Sequence, residues 1–100
     1  MTPEAAQQAL GECRDRIDDV DRLILTLLNE RTSTVQEIGR IKQLAHLPVY
    51  EPRREDQVFR NIAENNAGPL SLDAARRIFE RIIDEMRKVQ RERMEGEACS

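Results

Sequence analysis

The chain has no Trp, and its 100 residues are 39% hydrophobic against 35% charged. A core is possible, but not a rich one for a compact monomer. Only one histidine is present, His46. It cannot form a metal site alone, and no His, Cys or carboxylate cluster with ligand spacing surrounds it; it reads as a loop or helix-end residue. The two cysteines, Cys13 and Cys99, have neither metal nor redox spacing, which fits two unpaired thiols in a reducing cytosol. Excess charge of one sign is also missing. A net charge of −3 excludes a polybasic nucleic-acid or membrane binder. No apolar run approaches the roughly 20 residues of a membrane span. Residues 2–9 are small and polar, so no signal peptide is expected. Alternating β-branched runs, internal repeats, low-complexity segments, Gly-rich phosphate loops and Cys-His or Ser-His pairings are absent too.

What remains is helical, and the expected fold class is all-α. Thr2-Pro3-Glu4 reads as an N-cap, a first-position proline and a first-turn acid. From there Leu10, Cys13, Ile17, Val20, Ile24 and Leu27 recur in steps of three and four, and the stripe resumes at Val35, Ile38 and Ala45. The first helix is therefore placed at about residues 4–45. At about 1.5 Å per residue it would be a rod of about 60 Å. A compact domain of this size has a radius of gyration near 13 Å, so the rest of the chain cannot cover that rod. An intertwined helical homodimer is the expected solution, with residues 1–100 as one domain. After a break at His46 to Tyr50, Glu51-Pro52 restarts a helix carrying Val58, Phe59 and Ile62, which ends near the Asn65 to Pro69 stop signal. Ser71 or Asp73 caps a third helix with the stripe Ala75, Ile78, Phe79, Ile82, Ile83, Met86, Val89. These two helices are placed at roughly 51–65 and 71–94, with a frayed tail from Glu95.

Polar residues interrupt the stripes. Arg31 stands where Ile17, Val20, Ile24 and Leu27 call for another hydrophobe. Lys42, 11 residues on, returns to within about 20° of the same face. Two cations on one inward face ask for an anion. Arg14 points about 100° away, so in an antiparallel or crossed dimer it could complete the cluster of the other chain. Glu51 and Glu55 lie on the same helix face as Val58 and Ile62, with Arg54 adjoining, and Gln90 lies on the face of Ile83 and Met86. Each also has a plainer reading. Arg31 can snorkel, Glu51 and Glu55 can simply favour a helix N-terminus, and Gln90 can mark a solvated edge. Together they describe a dry, positively charged pocket with two carboxylates and an amide.

Taken in order, Arg14 with Ile17-Asp18-Asp19-Val20-Asp21, Leu27-Leu28-Asn29-Glu30-Arg31, Ile38-Gly39-Arg40-Ile41-Lys42, Pro48-Val49-Tyr50-Glu51-Pro52-Arg53-Arg54-Glu55, and Ile78-Phe79 through Ile82-Ile83 to Gln90 resemble the all-helical chorismate mutase family. The resemblance covers nearly the whole chain. It implies a dimer of three-helix chains with two sites, each lined by Arg31, Lys42, Glu51, Arg54, Glu55 and Gln90, with Arg14 supplied by the other chain. The implied reaction is chorismate to prephenate, a pericyclic shift in the biosynthesis of aromatic amino acids that needs no cofactor or metal. Arg14 and Arg31 would bind the two substrate carboxylates, and Lys42 and Gln90 would donate to the ether oxygen. Glu55 would accept from the substrate hydroxyl, supported by Glu51 and oriented by Arg54, while Ile38 and Ile83 keep the pocket dry. Two departures stand out. Glu51 replaces the family's common Asp, and Met86 stands where many members have a Ser near a substrate carboxylate. The rival readings are an isochorismate-pyruvate lyase of the same fold and a non-catalytic helical dimer acting as a regulatory module. A cytoplasmic location is expected in either case.

Overall fold

The computed structural model describes residues 1–99, with side chains described as far as residue 95. The thiol of Cys99 and the end of the tail thus lie outside the described residues. Three helices follow in order: α1 (Pro3–Ala45), α2 (Pro52–Asn65) and α3 (Leu72–Cys99). No strand occurs among the described residues, so the fold is all-α with one long N-terminal helix. The helix ends obey their local chemistry. Thr2 Oγ1 accepts from the Ala5 amide at 3.1 Å, and Ser71 Oγ accepts from the Ala74 amide at 3.1 Å. Ser71 is therefore the cap of α3, and Asp73 falls in its first turn. Between α2 and α3, Asn66 folds the loop on itself, accepting from Gly68 N–H and donating to the Leu70 carbonyl. Gly68 there has φ 76°, a conformation that suits glycine.

The chain divides into two compact units, Met1–Ser33 and Thr34–Ser100. The first unit is helix from Pro3 onward. Its apolar stripe is exposed, with Ile17 at 57% and Leu27 at 53%. The second unit holds the core: Val35 from α1, and Ala75, Ile83 and Met86 from α3. Val58, Phe59 and Ile62 of α2 are half-buried, and Arg76 lies over the Phe59 ring at 5.0 Å. Gly39 is buried where α1 backs onto α3; a Cβ there would touch the Gln90 backbone at 3.5 Å. Burying one Val, Ile or Met is worth roughly 1.5–3 kcal/mol, so this core gives a thin margin against chain entropy.

Ile78, expected on the α3 stripe, is exposed. At about 100° per residue it falls about 90° off the mean direction of the buried Ala75, Ile83 and Met86. Ile38, expected to wall off a pocket, is 38% exposed, whereas Val35 one turn earlier is buried. Helix α3 also runs past the expected end near residue 94.

Candidate functional site

The site in the second unit begins with the way α1 ends. His46 takes a left-handed backbone, φ 56°. Its N–H donates to the Gln43 carbonyl at 3.3 Å, and the Leu47 N–H donates to the Lys42 carbonyl at 2.8 Å. These paired bonds are a Schellman turn, in which the left-handed position usually falls to glycine. The turn brings the following residues back against the last turn of α1. There the Lys42 ammonium donates to the Val49 carbonyl and to Gln90 Oε1, both at 2.9 Å, and pairs with Glu51 Oε1 at 2.6 Å. Lys42 is only 6% exposed, and an ammonium so far from water must find acceptors within the protein.

Glu51 is the N-cap residue of α2 but makes no side-chain cap bond. Its carboxylate is on Lys42 instead, so a general preference of acids for helix N-termini does not account for it. Gln90 is half-buried, with its amide oxygen on Lys42. That bond assigns the remaining polarity of the side chain: the NH₂ is the end that can donate to a ligand.

A second ionic contact joins α2 to α3. Arg87 grips Glu55 as a fork, Nε to Oε2 at 2.9 Å and Nη2 to Oε1 at 2.7 Å, with side chains 28% and 20% exposed. Asp84 approaches the same guanidinium at 3.4 Å, and the Tyr50 ring centroid lies 5.5 Å from it. The hydrogen bonds that Arg87 donates to Glu55 hold its pKa above the ordinary value. A raised basic group stabilises the fold below its unfolded pKa and loses that effect only as pH rises through the folded one, so this cation stays charged throughout the neutral range.

The structure thus brings Lys42, Glu51 and Gln90 together and holds Glu55 against α3, with Ile83 and Met86 buried on the same helix. Arg54 goes elsewhere. It is exposed and donates to Gln57 Oε1 at 2.8 Å, three residues along its own helix, so the cation that orients Glu55 is Arg87. In the first unit Arg14 is exposed and Arg31 is half-buried. Sequence reasoning missed Arg87, although a signal was there: Ile83, Arg87 and Gln90 follow the i, i+4, i+7 pattern that singled out other residues. The Val49 carbonyl had no such signal, because a backbone acceptor carries no residue identity.

Three oxygens surround an ammonium with three N–H donors, so a ligand oxygen that binds Lys42 takes the place of one of them. Among the described residues no group of three or more His, Cys, Asp or Glu could hold a metal ion. No helix among them is long and apolar enough to cross a membrane. Fold and site define an all-helical protein with a buried lysine held by a glutamate, a glutamine and a backbone carbonyl. Residues 13–91 match the family described as chorismate mutase type II, and the chain belongs to that family. It is 39% identical over 80 residues to the bifunctional chorismate mutase/prephenate dehydratase of Aquifex aeolicus, spanning 76% of this chain but 22% of that protein. It is 28% identical over 92 residues to the chorismate mutase of Methanocaldococcus jannaschii, spanning 88% of this chain and 90% of that one. Among solved structures, form II of the chorismate mutase from Thermus thermophilus superposes with a TM-score of 0.81 at 34% identity, covering 83% of this chain and 94% of that one. The chain therefore spans about a fifth of the length of the bifunctional relatives and 90% of the Methanocaldococcus jannaschii chorismate mutase.

Proposed function

We propose that this protein rearranges chorismate to prephenate in the cytoplasm, as a step of aromatic amino acid biosynthesis, and does so as a homodimer with two sites. The observation that carries the reading is the buried Lys42 held between Gln90 and Glu51. The reaction is intramolecular. An enzyme accelerates it by holding the enolpyruvyl ether in its folded, reactive shape and by stabilising charge that develops on the ether oxygen as the C–O bond breaks. Lys42 and the Gln90 NH₂ are the donors for that oxygen. Both side chains are held in place by the fold, and the ether oxygen takes the place of one of the three oxygens now on Lys42. Glu55, acting as an ionised acceptor, takes the hydrogen bond of the ring hydroxyl, with Glu51 supporting it.

The two substrate carboxylates call for guanidinium forks. Arg31 and Arg14 of the partner subunit fill that role in this reading. Two things support a dimer: the length of α1, and an apolar stripe on the first unit that is exposed in the single chain. Such a face is expected to be covered in the working protein.

The direct test follows the loss of chorismate absorbance on adding purified protein, beside an Arg31→Ala variant. Prephenate formation that falls on the order of 100- to 1000-fold in the variant supports the reading. A folded parent that leaves chorismate unchanged overturns it; pyruvate released from isochorismate would then identify a lyase.

A further inference from the structure

We propose that Arg87 is a positioning residue for the reaction, acting through Glu55: its fork fixes the carboxylate that takes the substrate hydroxyl. The assignment rests on the mutase reading above. Glu55 stands on the first turn of α2, and a glutamate there has three side-chain torsions and many rotamers. Both of its oxygens are instead held by a single rigid guanidinium rooted on α3, at 2.7 and 2.9 Å. A bidentate pair sets the plane of the carboxylate as well as its position. An ionised carboxylate offers about four lone-pair directions, and the fork uses two of them. The other two remain for a hydroxyl, so holding Glu55 and using it are compatible.

Arg87 is itself secured. Asp84 approaches it one turn earlier on α3, at 3.4 Å, and the Tyr50 face lies under its guanidinium. Tyr50 immediately precedes Glu51, whose carboxylate is on Lys42. Arg87 thereby ties the carboxylate of α2, the connecting segment and the helix that carries Gln90 into one frame. Displacing a group by about 1 Å in such a frame costs on the order of 100-fold in rate.

Kinetics of four proteins test this: parent, Arg87→Met, Glu55→Gln and the double variant, each first shown to be folded by its circular dichroism melt. Arg87→Met is expected to lower kcat/KM by about 10- to 100-fold. The double variant should be no worse than Glu55→Gln alone, because Arg87 has nothing left to position. Losses that multiply would mean that Arg87 acts on substrate directly or through another group, and would overturn the assignment. So would an Arg87→Met protein with parental kcat/KM. Arg87→Lys keeps the charge without the fork and serves if the Met variant does not fold. It should recover less than half of the lost activity on a logarithmic scale or, if measured alone, fall below parent; full activity would overturn the geometric role. A parent inactive on chorismate would sink the mutase reading and this assignment together, whereas an active parent with multiplying losses would sink the assignment alone.

Discussion

Between Met1 and Ser33 the chain exposes Leu10, Ile17, Val20, Leu23, Ile24 and Leu27, and the side chains of Arg22, Thr26 and Asn29 bond within one turn of themselves. From Thr34 onward the pattern reverses. A lysine is buried, and polar bonds reach across the sequence: Lys42 to Gln90, Gln43 to the Met94 carbonyl, Arg87 to Glu55. The second unit is specified by charges and amides that find one another within the chain. The first unit leaves its apolar stripe exposed. A buried polar network fixes geometry and stays costly if any member is lost, whereas an uncovered apolar stripe gives area without fixing geometry. One chain thus carries a polar network closed within itself and an apolar stripe that it leaves exposed.

The largest expected effect tests whether the two units cooperate across chains. Arg14→Ala alters only the first unit and Lys42→Ala only the second, and each homodimer should lose on the order of 100-fold or more in kcat/KM. Mixing the two after joint unfolding and refolding gives hybrid dimers. Half of the dimers are then hybrids, each with one intact site, so activity should return to about a quarter of the parental value. Arg14 acting within its own chain predicts no recovery, because every site would then carry one of the two substitutions.

A smaller effect sharpens the account of the second unit. In Gln90→Glu the new carboxylate would still accept from Lys42 but could not donate to an ether oxygen, whereas its protonated form could. Activity near neutral pH should fall on the order of 100-fold and rise as the pH is lowered. Measured as kcat/KM against pH, a parental profile would remove Gln90 from the reaction.

The two units also differ in what their residue order made legible. Helical period and proline placement predicted all three helices, because capping and amphipathicity are local. That Lys42 and Gln90 turn inward was legible for the same reason, and a buried lysine had to be paired, whereas Glu51 reaches it from an exposed position. The choice between Arg54 and Arg87 was not. Both adjoin Glu55's surroundings in sequence or in period, and only the packing of α2 on α3 decides which guanidinium reaches the carboxylate. Nor did the α1 stripe reveal which part of it the chain itself would cover, since Val35 and Ile38 share one pattern but differ in burial.

The smallest expected effect concerns the turn that folds the segment after α1 back against the last turn of that helix. His46 carries a side chain at φ 56°, where an L residue costs roughly 1–2 kcal/mol relative to the right-handed region. Glycine escapes that cost but loses about 0.5–1 kcal/mol of extra backbone freedom on folding. The balance predicts that His46→Gly gains about 0.5 kcal/mol, read as a higher urea midpoint with an unchanged slope. The Schellman bonds are backbone bonds and survive the change, so Val49 and Glu51 still reach Lys42 and kcat/KM should stay within about twofold of parent. A lower midpoint would mean that the imidazole itself supports the turn. A large loss of activity at unchanged stability would mean that the turn's stiffness, beyond its hydrogen bonds, holds the acceptors on the buried ammonium.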